Sequence, residues 1–162
     1  MTATARFLAD MNTLETLCIW GVATGGAAGS RLRLAIGSKF LRPKPVENMN
    51  LQPELQTHRR EYSLYVWCHW IIHDQDRVVM TSEGNSDPNG QMVRAIEDLI
   101  SVPITNVELV VPSFRLKIAF QNQQNLIMFP VQMPVSEWDD YEFNTPDRAY
   151  SVKAGAINES SV

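Results

Sequence analysis

The chain has 162 residues, of which 44% are hydrophobic and 20% are charged, and no single residue type dominates it. This is the composition of an ordinary folded domain, and it excludes the disordered and fibrous classes. The net charge of −4 is unevenly distributed, with +4 in residues 1–60 and −8 in residues 61–162. An acidic region disfavours nucleic acid as a partner, because phosphates require a basic surface.

The apolar segments are short, and none approaches the ~20 residues that a membrane-spanning helix needs. The N-terminal segment also lacks the long apolar centre of a signal peptide. Cys18 and Cys68 each lie within an apolar segment, which is typical of buried free thiols and not of a disulfide. These features predict a single cytoplasmic domain over residues 1–162, with no contact to a membrane.

Alternation of polar and apolar residues and runs of β-branched or aromatic residues predict most of the chain as strands. A strand, a glycine-rich loop and a second strand are expected between residues 14 and 37. Residues 62–72 predict one long strand, followed by a turn at residues 74–76 and a partner strand. This partner strand comprises residues 77–80, and further strands are expected at residues 104–111, 114–120, 126–129, 138–143 and 148–152.

One principal helix is predicted, beginning near Asp87 and Pro88, which suit an N-cap and a first helical position. Its apolar stripe follows the 3.6-residue period and comprises Met92, Ala95, Ile96, Leu99 and Ile100. Residues 38–60 are proline-rich, which predicts a surface loop. The ordered core is expected at about residues 14–153. The tail from Gly155 is expected to be loose. The predicted fold class is α+β, a mainly antiparallel curved sheet or partly open barrel with one principal helix packed on it.

The residues that could carry metal or catalytic chemistry do not assemble into a known motif. His69 and His73 have a spacing that suits zinc on a helix, but four residues of strand span ~13 Å. Cys68 and His69 are neighbours on a strand and point to opposite faces, which disfavours a thiolate–imidazole pair. The glycine-rich loop at residues 25–30 lacks the lysine of a phosphate-binding loop. We therefore expect no enzyme, no metal and no cofactor.

An acidic segment near the C-terminus is the strongest candidate for a partner-binding surface. Its members are Glu137, Trp138, Asp139, Asp140, Tyr141, Glu142 and Asp147. Carboxylates can steer a cationic partner while aromatic rings supply buried contact area. The alternative is a solvent-facing strand edge with Trp138 in the core. A basic stretch is the weaker candidate, for contact with an anion, and it comprises Lys39, Arg42, Lys44, His58, Arg59 and Arg60.

Several segments, taken in order, resemble a family of small β-rich bacterial proteins found among the immunity proteins of toxin systems. The segments that carry the resemblance are residues 32–37, 64–72, 114–120 and 126–130, then Trp138 and residues 144–147. The resemblance implies a compact β-rich protein that binds and neutralises a cognate bacterial toxin. If the toxin is a nuclease, the acidic segment would imitate the phosphates of its substrate.

Two other functions remain open from the sequence. A small ligand-binding protein or hydrolase could use a sheet cavity, with Tyr65, Trp67 and His69 on one face of the long strand. A structural protein could instead assemble through an exposed strand edge. The oligomeric state is not fixed by either pattern.

Overall fold

A computed structural model describes residues 1–132 and 137–162, and it shows an α+β fold with two antiparallel sheets that are not closed into a barrel. The helices are α1 (Ala3–Asn12), α2 (Pro53–Thr57) and α3 (Gln91–Glu97). The strands are β1 (Ile19–Ala23), β2 (Leu32–Leu41), β3 (His58–Val66), β4 (His69–Asp74), β5 (Arg77–Thr81), β6 (Ile104–Val110), β7 (Arg115–Phe120), β8 (Gln124–Phe129), β9 (Tyr141–Asn144), β10 (Arg148–Lys153) and β11 (Ala156–Ser161). In the described part of the chain, no helix has the length and apolar character needed to cross a bilayer.

The strands divide into a six-stranded sheet in the order β1-β2-β3-β9-β10-β11 and a five-stranded sheet in the order β5-β4-β8-β7-β6. Buried side chains from both sheets, α1 and α3 form one hydrophobic cluster, so the inner faces of the sheets share a core. The fold class predicted from the alternating patterns is confirmed, with two open sheets in place of one curved sheet.

Strand register separates the two faces of the six-stranded sheet. A row of directly opposed residues, Leu34, Leu64, Phe143 and Tyr150, is at most 1% exposed and forms the inner face. The neighbouring row, Arg33, Tyr65, Glu142 and Ser151, is only half-buried and forms the outer face. Successive strand residues point to opposite faces, which is why this alternation was readable from the sequence.

The predicted long strand at residues 62–72 is interrupted in the structure. It breaks after Val66, so that β3 belongs to the six-stranded sheet and β4 to the five-stranded sheet. The backbone amides of Trp67 and Cys68 both donate to the carbonyl of Asp140, at 2.9 and 3.0 Å. A strand that changes sheets must bend, and here Asp140 satisfies the two amides that leave the ladder.

The N-terminal helix α1 was missed by the sequence analysis, which placed the ordered core from about residue 14. Thr2 caps the helix by accepting a hydrogen bond from the Ala5 amide through its hydroxyl. Phe7 is fully buried, and its ring centroid lies 5.3 Å from that of Tyr150 in an edge-on contact. Ion pairs between Arg6 and Glu159, and between Asp10 and Arg148, join the helix to β10 and β11.

Three further expectations differ from the structure. Helix α3 is only Gln91–Glu97 and its N-cap is Gly90, because Asp87 and Pro88 lie in a turn in which the Gly90 amide donates to the Asp87 carbonyl at 2.8 Å. The predicted loop at residues 38–60 contains the exposed end of β2, helix α2 and the start of β3. The tail expected to be loose forms β11, which pairs with β10 from Arg148↔Ser161 to Lys153↔Ala156.

Replacing Phe7 with alanine tests the contribution of α1 to the core. We expect Phe7→Ala to lower the free energy of unfolding by about 3–5 kcal/mol, the usual cost of emptying a buried aromatic site. Leu8→Ala, at a neighbouring side chain that is 36% exposed, should cost less than about 1 kcal/mol. Urea denaturation of both variants measures the difference, and equal losses would show that α1 is not part of the cooperative core.

Candidate functional site

The structure divides the acidic segment into buried and exposed side chains. Asp140 is 5% exposed and Tyr141 is fully buried, so these two residues are removed from the predicted partner-binding surface. Tyr141 faces the core because it lies on the inner row of β9, and its hydroxyl donates to the carbonyl of Phe114 at 2.8 Å. An expectation based on acidic composition alone could not separate these two from their neighbours.

Asp140 is a structural carboxylate. One oxygen accepts the Val131 amide and the other accepts the Ala154 amide, both at 3.1 Å. Its backbone carbonyl accepts the two amides at the bend after β3, and its own amide donates to Val152 at 2.7 Å. Backbone amides at such a corner need acceptors, and the oxygens of one carboxylate can serve several of them. Asp140 therefore connects β8, β10 and the β3–β4 bend.

Three aromatic rings are stacked on the outer face beside this corner. The ring centroids of Tyr65 and Trp67 lie 4.1 Å apart, and those of Trp67 and Trp138 lie 6.1 Å apart, with interplanar angles of 20° and 16°. The guanidinium of Arg33 lies over the Tyr65 ring, 5.5 Å from its centroid. Trp138 ends the stack and remains 63% exposed. The alternative that placed Trp138 in the core is therefore wrong.

Two carboxylates border the stack. Glu142 lies directly opposite Tyr65 in the β3–β9 register, and its side chain is hydrogen-bonded to Asp139. Burial, then this hydrogen bond and the charge of Asp139, raises the pKa of Glu142 to about 7. Glu142 therefore titrates near neutral pH. We call Tyr65, Trp67, Trp138, Asp139 and Glu142 the Trp138 surface.

Glu137 and Asp147 are the remaining two residues of the predicted partner-binding surface, and neither belongs to the Trp138 surface. Glu137 is exposed, and its backbone carbonyl accepts a hydrogen bond from Lys153 at 3.0 Å. Asp147 is exposed in the β9–β10 turn, at the opposite end of β9 from Trp138. Asp147 is therefore not brought together with the other acidic residues, although it lies close to them in the sequence.

The residues of the ligand-cavity alternative are also separated. His69 is exposed on β4 in the second sheet, where its Nδ1 is hydrogen-bonded to the Ser82 hydroxyl. Tyr65 lines a recess of about 530 Å³ beside the glycine-rich loop, but Trp67 and His69 do not line it.

Burial and the nearby charge of Asp140 raise the pKa of the Cys68 thiol to about 12, which opposes thiolate chemistry. Among residues 1–132 and 137–162, no cluster of His, Cys, Asp or Glu could hold a metal ion.

The Trp138 surface combines a fixed apolar platform with titratable acids. Stacking leaves few side-chain conformations to be lost when a partner binds, and an exposed tryptophan beside carboxylates suits a cationic or amphipathic partner. The sequence placed Tyr65 and Trp67 on a shared face, but it did not connect them with Trp138, which lies more than 70 residues away. The pairing of β3 with β9 brings Trp138, which shortly precedes β9, next to Tyr65 and Trp67.

Comparison with known proteins finds no matching family model, no similar curated protein and no similar solved structure.

Asp139 and Asp140 offer a direct test of the division between surface and core. Asp140→Ala removes a buried carboxylate and leaves the backbone amides of Val131 and Ala154 without their acceptor, so we expect it to lower the free energy of unfolding by roughly 3 kcal/mol. Asp139→Ala should change it by less than about 1 kcal/mol, as at other partly exposed positions. Chemical denaturation distinguishes the two, and similar losses would contradict the assignment of Asp140 as the structural residue.

The raised pKa of Glu142 predicts a pH dependence of stability. Between the ordinary pKa of 4.5 and the folded value of about 7, the folded state binds more protons than the unfolded state. The stabilisation is complete below pH 4.5 and is lost as the pH rises through 7. Glu142→Gln should flatten this part of the stability profile between pH 5 and pH 8, whereas Glu83→Gln, at an exposed position, should leave the profile unchanged. Parallel profiles for all three proteins would exclude the raised pKa of Glu142.

Proposed function

We propose that the protein acts by binding another protein, and that its partner is a cationic bacterial toxin that it neutralises in the cytoplasm. The observation that carries the proposal is the Trp138 surface, in which a 63% exposed tryptophan is held in a stack of three rings beside two carboxylates. Exposed tryptophans with rigid support are typical anchors of protein interfaces. The resemblance to toxin-immunity proteins supports the choice of partner.

The charge of the Trp138 surface favours a basic partner. Glu142 lies beside Asp139, and the proton that Glu142 holds below its raised pKa of about 7 can be released when a cation approaches. Release of this proton increases the negative charge where the partner binds. Binding of a cationic protein should therefore become tighter as the pH rises from 6 to 8.

The proposed mechanism is occlusion and not turnover. A neutralising protein needs an interface of about 1,600 Å² with a few well-packed anchors, and it does not need catalytic groups. Trp138 supplies the anchor, while Asp139 and Glu142 increase the association rate by attracting the partner. Asp140 and Tyr141 support the surface from below and do not contact the partner.

A growth-rescue experiment tests this function. Genomic fragments from the organism that encodes the chain are first screened for toxicity in a heterologous bacterial host, and the toxic fragments are then co-expressed with the chain. We expect the wild-type chain to restore growth with at least one toxic fragment. Trp138→Ala should weaken binding of that fragment by about 2 kcal/mol, roughly 30-fold, as for a central anchor.

Val78→Ala is the matched control, because Val78 is 52% exposed on β5 of the other sheet. It should rescue growth as well as the wild type. Charge reversal by Asp139→Lys should slow association with the same fragment and reduce the dependence of its rate on salt. Failure to rescue any toxic fragment, or binding of the rescued fragment by Trp138→Ala with the affinity of the wild type, would reject the proposed function.

A further inference from the structure

A second recess, of about 450 Å³, lies where the end of β2, the start of β3 and the end of β9 meet. Its lining includes Phe40, Arg42, Arg59, Arg60, Ser63 and Asn144. This volume lies within the usual range for small-molecule sites. Arg42, Arg59 and Arg60 belong to the basic stretch, which takes no part in the proposed function. We call this recess the arginine pocket.

The arginines of the pocket have no anionic partner in the described part of the chain. The ion pairs found there involve Arg6, Lys39, Lys117 and Arg148, and none involves Arg42, Arg59 or Arg60. Glu61 lines the pocket without forming an ion pair. The Nε atom of Arg42 is buried without a hydrogen-bond acceptor. A buried, charged donor without an acceptor is costly, and an anion oxygen would supply the acceptor.

The positive charges also repel one another. Arg60 is half-buried, and burial together with the charges of Arg33 and Arg42 lowers its pKa to about 10. The chain as a whole has more acidic than basic residues, so this cluster does not reflect a generally basic surface. Groups that oppose folding in this way are typical of functional sites, where a ligand provides the compensating interaction.

We propose that the arginine pocket binds a small, multiply charged anion of the phosphate type. The planar guanidinium group donates two parallel hydrogen bonds to phosphate oxygens, and two or three such groups can surround one anion. The Ser63 hydroxyl accepts from the Asn144 amide at 3.2 Å and can donate its own proton to the anion. Phe40 is 46% exposed at the pocket and offers an apolar wall. Free phosphate and the phosphoryl group of a larger metabolite share this chemistry.

Isothermal titration calorimetry at constant ionic strength tests the proposal, with pyrophosphate, inorganic phosphate and citrate as probes. We expect pyrophosphate to bind more tightly than citrate. Arg42→Gln and Arg59→Gln should each weaken pyrophosphate binding about tenfold, the loss of one charge-assisted contact. Arg115→Gln is the matched control, because it removes the same charge from an exposed position on β7, and it should change affinity less than about twofold. Circular dichroism confirms that each variant is folded, and the exposure of Arg59 keeps the test valid even if Arg42→Gln unfolds.

The two sources of phosphate are distinguished with phenyl phosphate. Tighter binding of phenyl phosphate than of inorganic phosphate, lost in Phe40→Ala, would identify an organic phosphate, and equal binding would identify free phosphate. The proposal is overturned by the absence of pyrophosphate binding at millimolar concentration, by equal binding of citrate, or by equal effects of Arg42→Gln and Arg115→Gln. It is also overturned if a single-stranded oligonucleotide binds and pyrophosphate does not displace it.

Discussion

The hydrogen bonds of Asp140 hold together the corner at which the two sheets meet. Its carboxylate accepts amides that follow β8 and β10, and its carbonyl accepts the two amides at the bend between β3 and β4. Without these acceptors, four backbone donors at the corner would lack partners, and backbone groups that lose water on burial need replacements. The same residue precedes β9 directly, so it also sets where the Trp138 surface begins.

The outer face of the six-stranded sheet carries opposite charges at the two ends of β9. Glu142, near the start of β9, pairs with Tyr65 within the Trp138 surface, and Asn144, two residues later, pairs with Ser63 at the arginine pocket. Arg33 lies between these regions, since it contacts Tyr65 and also acts electrostatically on Arg60. Acidic and basic groups so close together partly offset each other at long range, so the two sites depend on local contacts more than on net charge.

The sequence predicted strands well where one face is buried and the other is not. The β7–β8 hairpin was expected, and so were strands at the positions of β9 and β10, although β9 begins at Tyr141 and not at Trp138. Prediction from the sequence failed where the residue that determines the local structure is distant in the chain. The break after Val66 depends on Asp140, and nothing within residues 62–72 signals it, because both halves are equally apolar and β-branched.

The errors at the ends of the chain have a different origin. Helix α1 had local signals, a Thr2 cap and two buried residues four positions apart, Phe7 and Met11, but its stability comes from packing against β10 and β11. Strand β11 has a largely polar sequence and is fixed by its ladder with β10 and by Glu159. For the candidate site, composition singled out the whole acidic segment, and only the fold shows that Trp138 is exposed while Asp140 and Tyr141 are buried.

The segment from Glu137 to Glu142 separates residues that maintain the architecture from residues that meet solvent. Asp140 and Tyr141 are fixed by internal hydrogen bonds, whereas Glu137, Trp138 and Asp139 can vary without disturbing those bonds. Mutations at the three variable positions can therefore accumulate at little thermodynamic cost. Such a segment allows the exposed chemistry of this corner to change while the hydrogen bonds that join the two sheets are inherited intact.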